Sequence, residues 1–460
     1  MVSNIYRPMK EAPATSSPRP TFTTLSSLAV VVGIVVGIGI LRLPPIVANH
    51  SANELQFILF WIAGGFISLM GALCYAELSS SMPSSGGEYF FLRKAFGPAT
   101  GFFLSWARMT VIQTGSVALI AFILGDYASA LLPLGPYSSS IYAAGAVMAL
   151  TALNVSGTLY SSKMQNILAS LIVLTLIIIA IAGLLIPSGN NLWPAASGQI
   201  IFSDGAAGLA MIFVLLTYGG WSEAAYLTGE LHHVRKSIVR TLVLGIFIIT
   251  TLYVLVNLSY LHVLGFETLR NSQTVGYDLT QEIFGQRASL IVIIVVIISS
   301  LSTANATIIT GARTNFAIGR DFTILGFLGK WNSRRNTPVN ALLVQGGIAL
   351  ILVGMGAWSQ QTISTIVDYT APVFWFFLTL VTLSLFIFRR RPHHEAGTYR
   401  VPLYPLPPLL FLIACLYMLY SSLVFTGTGA MVGALILMAG IPVYFLAMKY
   451  QTKTDKFRGS

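Results

Sequence analysis

The sequence predicts an all-helical integral membrane bundle, and three observations carry that prediction. Only 9% of the 460 residues are charged, 55% are hydrophobic, and the mean hydropathy is +0.77, whereas a soluble domain is roughly one-quarter charged. The apolar residues gather into runs that, at about 1.5 Å per helical residue, can cross a hydrocarbon core about 30 Å thick. Lys and Arg alternate between the connecting segments. An ordinary soluble enzyme, a disordered chain and a disulfide scaffold are excluded.

Twelve runs are expected, at about 25–49, 55–80, 98–131, 138–156, 164–186, 205–231, 238–263, 286–318, 338–357, 362–388, 405–425 and 429–448. Twelve crossings put both termini on one side. That side holds Arg7, Lys10, Arg19, Arg93, Lys94, Lys163, Arg235, Lys236, Arg240, Arg313, Arg320, Lys330, Arg334, Arg335, Arg389, Arg390, Arg391, Arg400, Lys449, Lys453, Lys456 and Arg458, which is 22 of the 26 basic residues. Arg270 and Arg287 fall opposite, and Arg42 and Arg108 lie within runs. Basic loops stay in the cytoplasm, so both termini are expected there, in a cell (inner or plasma) membrane. The formal charge of +11 thereby reads as an orientation signal towards anionic lipid, not as a nucleic-acid surface.

Residues 1–22 are polar and Pro-rich and read as a disordered cytoplasmic tail, not a signal peptide. Residues 23–450 form one transmembrane domain, and 451–460 a second tail. Cys74 and Cys415 lie inside apolar runs, and His50, His232, His233, His262, His393 and His394 lack zinc-ligand spacing. Neither a disulfide framework nor a metal or other cofactor is expected.

Two runs carry mid-membrane interruptions. The first reads Val35-Val36-Gly37-Ile38-Gly39-Ile40, and the sixth reads Leu216-Thr217-Tyr218-Gly219-Gly220-Trp221-Ser222-Glu223. Glycine weakens a helix interior by about 1 kcal/mol relative to Ala, although single Gly pairs also serve close helix packing. Paired breaks at like positions of runs 1 and 6 point instead to a transporter with two inverted repeats of five helices, about 25–186 and 205–388, with two further helices at about 405–448. An unwound segment exposes N–H groups suited to a carboxylate and C=O groups suited to an ammonium. A free α-amino acid carries both.

Charged groups at membrane depth each require a reason. Glu223 follows the second break by three residues; it either binds protons or a cationic substrate, or steadies the unwound backbone. Glu77 reads as a gate or loop salt bridge, and Asp368 as a structural group or an outer-gate partner for Arg42. Arg42 either draws carboxylates inward or snorkels to the interface. Arg108 is expected to face the bundle interior or a carboxylate such as Glu77.

Four runs bear a resemblance to the amino acid-polyamine-organocation superfamily, and within it to the L-type amino acid transporter group. They are Tyr75-Ala76-Glu77-Leu78 to Pro83-Ser84-Ser85-Gly86-Gly87-Glu88-Tyr89, with Arg93 to Gly97 beyond; Tyr218-Gly219-Gly220-Trp221 to Glu230-Leu231; Ser302 to Arg313-Thr314-Asn315-Phe316-Ala317-Ile318-Gly319-Arg320-Asp321; and Arg390-Arg391-Pro392 to Tyr399-Arg400-Val401-Pro402-Leu403-Tyr404-Pro405. The resemblance implies a leucine-transporter type fold with helices 1 and 6 broken. It also implies a substrate held by backbone: carboxylate on the N–H groups of Ile38 and Gly39, amine on the carbonyls of Val35, Leu216 and Gly219, with Gly37 and Gly220 opening the breaks.

Side-chain selectivity would then come from Gln113, Trp221, Ser222, Asn305 and the aromatic stretch around Trp375. Leu216 stands where many relatives have an aromatic gate, so Tyr218 or Trp221 is expected to share occlusion. Ile172 stands where sodium-independent relatives often carry a Lys. The slot beside Ser299, Ser300, Ser302 and Thr303 is therefore either empty or entered by sodium. Arg42, Tyr218, Glu223, Ser302, Thr303 and Asp368 are the gating and coupling candidates.

The expected function is secondary transport of free L-amino acids by alternating access, as exchange or ion-coupled uptake. The alternatives are an uncoupled facilitator or channel, and a polyamine or amine carrier of the same fold. An enzyme is disfavoured, because no span interior holds a His and Glu77, Glu223 and Asp368 are dispersed. Thr274-Val275-Gly276-Tyr277-Asp278 resembles a potassium filter, but one copy cannot form the ring a filter needs; it reads as an external loop. Some animal members of the family link to a partner glycoprotein through an external Cys. Neither Cys here is external, so no covalently linked heavy chain is expected.

Overall fold

The computed structural model describes residues 23–37, 39–84, 86–188, 206–230, 234–272, 275–285, 288–358, 362–390, 398–426 and 428–458. The expected tail 1–22, the site residue Ile38 and the side chain of Asp368 lie outside the described residues. Within them the chain is almost wholly helical. In order the helices are α1 (Thr24–Val35), α2 (Gly39–Arg42), α3 (Pro44–Asn49), α4 (Glu54–Ser81), α5 (Glu88–Phe96), α6 (Pro98–Ala107), α7 (Gln113–Leu131), α8 (Ser138–Ser156) and α9 (Thr158–Leu185). There follow α10 (Ala206–Thr217), α11 (Val234–Leu264), α12 (Phe266–Asn271), α13 (Val275–Phe284), α14 (Ala288–Asp321), α15 (Val339–Trp358), α16 (Thr362–Arg389), α17 (Leu406–Thr426) and α18 (Thr428–Arg458). A π-helical turn, Arg108–Ile112, joins α6 to α7, and a 3₁₀ helix, Trp221–Glu230, follows α10.

Local chemistry accounts for several of these boundaries. Thr23 caps α1, accepting from the Ser26 N–H, while the Ser26 hydroxyl returns to the Thr23 N–H at 2.8 Å. Asn53 caps α4 by accepting from the Gln56 N–H at 2.8 Å. Pro98 opens α6 directly after Gly97, where its missing N–H removes no helical bond.

Eleven helices among the described residues are long and apolar enough to cross a membrane. They match eleven of the twelve expected runs. The sixth expected span is absent from that set for a physical reason: its break divides it into α10 and the 3₁₀ helix, neither of which is long enough alone. The potassium-filter look-alike needs a different correction. It lies at the start of α13 rather than in a loop, for Val275-Gly276-Tyr277-Asp278 forms the first helical turn.

Contacts sort the connections onto two ends. At the end bearing most of the basic residues, Ser84 N–H donates to Thr228 Oγ1 at 2.9 Å, Arg93 pairs with Asp321, and Thr158 N–H donates to the Arg335 carbonyl at 3.1 Å. At the opposite end Asn49 donates to the Arg270 carbonyl at 2.8 Å, and His262 meets the Ile186 carbonyl at 3.0 Å. The multi-pass arrangement follows. Between the ends lies one continuous apolar core running through α1, α4, the α6–α7 rod, α11, α14 and α16. Small residues let its helices approach: a Cβ on Gly65 would overlap Thr250 of α11, and one on Gly64 would overlap Val214 of α10.

Gly220 shows how tightly the broken span is set. Its φ of +107° is a conformation L side chains rarely adopt, and a Cβ there would overlap Ile34 Cγ2 of α1. Gly220→Ala is expected to destabilise the protein by at least about 2 kcal/mol through backbone strain and overpacking. Gly347→Ala, where no atom lies within 4 Å of the added carbon, should be neutral or slightly stabilising. Thermal unfolding of both variants in detergent checks the contrast.

Candidate functional site

The two sequence breaks are structural breaks, and they adjoin. α1 ends at Val35 and α2 begins at Gly39, while α10 ends at Thr217 and the 3₁₀ helix begins at Trp221. A Cβ on Gly39 would sit 2.9 Å from Thr217 Cγ2, and one on Gly37 would sit 3.0 Å from Thr303 Oγ1 of α14. Gly39 thus faces the second broken span and Gly220 faces Ile34 of the first, each across a distance that only glycine permits, while Gly37 faces α14.

The carbonyls freed by the breaks find protein partners, as a low-dielectric interior requires. The Tyr253 hydroxyl, from α11, donates to the Val35 carbonyl at 2.6 Å and lies 3.2 Å from the Thr217 carbonyl, joining the ends of α1 and α10. Val35 O also accepts from Gly37 N–H at 2.8 Å, and Leu216 O accepts from Gly219 N–H at 3.1 Å. Two of the three carbonyls expected to meet the amine are thus already hydrogen-bonded. Nothing in the sequence singles out Tyr253, since a tyrosine in an apolar helix is an unremarkable core residue.

Around the first break, Ser302 and Thr303 hydroxyls donate to Gly33 O at 3.3 and 3.1 Å, and Ser299 donates to Val36 O at 3.4 Å. Gln165 of α9 reaches in beside them, donating to Ser302 Oγ at 3.0 Å. Asn305 departs from expectation. It is fully buried, donates to Gln165 Oε1 at 2.9 Å and accepts from Asn154 at 2.8 Å. Its amide is consumed in tying α8, α9 and α14 together, so it does not line the cavity.

That cavity lies against the second break. Leu215, Gly219, Gly220, Trp221 and Ser222 form one wall, Ile67 and Ser68 of α4 a second, and Phe374, Trp375 and Leu378 of α16 with Phe411 and Ala414 of α17 the remainder. Trp221 is fixed edge-on against Tyr75, ring centroids 5.2 Å apart. Tyr218, by contrast, is wholly buried under Trp61 and Tyr253, its hydroxyl on the Trp61 carbonyl at 3.0 Å. A residue so held packs the hinge and does not face the cavity. Leu216 is 47% exposed and stands outside the cavity lining. Arg42 is exposed on α2.

Towards the basic end lies a buried ionic cluster. Arg108, at the start of the π-helical turn, pairs with Glu223 at 2.7 Å and Glu88 at 3.4 Å, donates to Thr314 at 3.2 Å, and stacks over the Tyr226 ring at 4.1 Å. Gln113 donates to the same Glu223 oxygen at 3.1 Å and to Thr310 at 3.2 Å. Glu88 accepts from Tyr75 at 2.6 Å and from Tyr226 at 2.7 Å. The suggested Arg108–Glu77 pairing is corrected: Glu77 forms a bidentate pair with Arg389 at 2.5 Å and accepts from Val401 N–H at 2.7 Å. This is the loop salt bridge of the plainer expectation. The sequence assigns Glu88 no role, because its burial depends on how α5 packs against α6 and α16.

A polytopic helical membrane protein with two apposed, interrupted spans and a cavity at their break is the class of molecule that this fold and site define. The amino acid permease family model matches residues 22–447, and the chain belongs to that family. It is 30% identical to the b(0,+)-type amino acid transporter 1 of Homo sapiens, covering 96% of this chain and 90% of the relative. It is 26% identical to the Serine/threonine exchanger SteT of Bacillus subtilis, covering 92% and 95%, and 28% identical to the Large neutral amino acids transporter small subunit 2 of Homo sapiens, covering 94% and 81%.

Removing one member of a buried ion pair costs about 3–5 kcal/mol when a charge is left uncompensated. Arg108→Met strands two carboxylates, whereas Glu223→Gln leaves Arg108 its Glu88 partner. The first variant is therefore expected to lower the unfolding temperature in detergent markedly more than the second. Equal losses would show that the guanidinium is not shared.

Proposed function

We propose that the chain is a secondary carrier that moves free L-amino acids across a cell membrane by alternating access and exchange, with both termini in the cytoplasm. One observation carries the reading: two broken spans meet at mid-span glycines, the second break lining a mostly apolar cavity, in a member of the amino acid permease family. The relatives named as amino acid transporters and as an exchanger support it. The residues at the breaks, Val35, Gly37, Ile38, Gly39, Leu216, Gly219 and Gly220, are proposed to hold the α-carboxylate and α-amine through backbone groups. The Tyr253 phenol would then move aside from Val35 O, or share it, as the ammonium arrives.

The side chain of the substrate is proposed to enter the cavity between α4, the 3₁₀ helix, α16 and α17. Its lining is aromatic and aliphatic with two serines. Glu223, the nearest carboxylate to the break in sequence, is engaged by Arg108 and Gln113. The reading that follows is a preference for neutral side chains over cationic ones. A polyamine has no carboxylate for the first break and is disfavoured on the same ground. Both cysteines are buried and free, so no disulfide-linked partner is proposed.

Protein reconstituted in liposomes preloaded with amino acids is expected to exchange labelled neutral L-amino acids and to discriminate against Lys, Arg and putrescine. Absence of counterflow for all twenty amino acids would overturn the reading. Gly39→Val brings new methyl groups against Thr217, already 2.9 Å from a Cβ, and should abolish substrate binding while the protein still inserts. Normal uptake by that variant would remove helix α2 from the site. Tyr253→Phe should cost about 1 kcal/mol of stability, read by thermal unfolding in detergent, since two carbonyls lose a shared donor.

A further inference from the structure

The ionic cluster contains a charge mismatch that amino acid recognition does not require. Glu88 and Glu223 face a single guanidinium, that of Arg108, and all three are at most 6% exposed. Among the described residues no other cation pairs with either carboxylate. The neighbouring groups are Tyr75 on α4, Tyr226 on the 3₁₀ helix, Gln113 on α7, and Thr310 and Thr314 on α14. Arg313 of α14 turns away, donating to the Ile309 carbonyl of its own helix at 2.5 Å. Arg389 of α16 is engaged by Glu77, and on α5 the adjacent Tyr89 and, a turn further on, Arg93 are engaged by Asp321. With both carboxylates ionised, the cluster would hold an uncompensated negative charge away from water, which costs several kcal/mol.

We propose that the Arg108–Glu88–Glu223 cluster is a proton-binding site that holds one proton while the path to the basic end is closed and releases it when that path opens. The proposal rests on the carrier reading above. We take the bound cation to be a proton, because the Glu88 oxygens already accept from two tyrosine hydroxyls and Arg108. Burial raises the Glu88 carboxyl above the ordinary carboxylate range, against the opposing pull of Arg108. The proton is therefore bound below that raised value and lost as pH rises through it.

Geometry couples the proton to motion. The cluster ties α4, α5 and the 3₁₀ helix to the α6–α7 rod and α14, so substrate leaving the breaks towards the basic end must part these elements. Parting admits water, the carboxyl returns towards its solvated pKa, its O–H bond breaks, and the proton passes to water while the electron pair stays on the carboxylate. Closure reverses the step. Acid at the basic end thus favours the closed arrangement.

Two measurements test this. In proteoliposomes, exchange of labelled leucine or serine by the wild type should slow as pH falls between about 8 and 5, by up to about tenfold per unit. Glu88→Gln and Glu223→Gln each remove the surplus carboxylate, and each should flatten the profile, whatever its maximal rate. A wild-type profile retained in either variant that exchanges, or a flat wild type, overturns the proposal. Should neither exchange, a potentiometric difference titration in detergent decides: wild type minus Glu88→Gln should show one extra proton still bound above the ordinary carboxylate range, and none overturns it. Exchange selective for Arg or Lys and independent of pH would assign the missing positive charge to the substrate, and would also overturn it. Failure to exchange any amino acid would instead count against the carrier reading, and the titration would still judge the proton site.

Discussion

A backbone amide or carbonyl left unpaired in hydrocarbon costs several kcal/mol, and this constraint shapes every unusual feature of the molecule. Unbroken helices meet it without help. Two interruptions facing each other do not, and the protein surrounds them with hydroxyls. Tyr253 holds the last carbonyls of α1 and α10, while Ser299, Ser302 and Thr303 hold those of Gly33 and Val36. These side chains come from α11 and α14, which explains why both helices pack directly against the breaks. The proposed substrate would exchange with such internal donors rather than enter a void, so the pairing energy lost is largely regained.

Charge follows the same logic at the basic end. Glu77, Glu88 and Glu223 are buried, and each has a guanidinium and at least one further donor. The arginines are equally committed: Arg389 also stacks on Tyr404, and Arg108 on Tyr226. Planar guanidinium suits this double duty, because its edge binds carboxylate while its face meets an aromatic ring. The π-helical turn starting at Arg108 inserts an extra residue in the α6–α7 rod just where that side chain enters the bundle. Such bulges are common at functional positions.

The spans and both breaks were legible in the sequence because hydrophobic length and paired glycines are local signals. Ten uninterrupted spans and two divided ones follow from them. Partnerships were much less legible. Depth alone sends Arg108 to the bundle interior, where it lies, or to a carboxylate such as Glu77; the packing of α5 against α6 and α16 instead brings it Glu88, while Glu77 goes to Arg389 across more than three hundred residues. Asn305 is expected to set side-chain selectivity and Tyr218 to share occlusion; the way their helices pack makes the first an inter-helix tie and the second core. Residue number fixes height in a membrane, but azimuth depends on neighbours that a single sequence does not name.

Gly39 against Thr217 and Gly220 against Ile34 leave no slack between the two interrupted spans. Elements in such contact cannot slide past one another and must tilt as one lever, with the glycines as its bearing surfaces. The wall supplied by α16 and α17 belongs to the frame against which that lever works. Variation in cargo can therefore accumulate on the frame while the bearing stays fixed, so that a family of carriers can diversify in taste without redesigning its machinery.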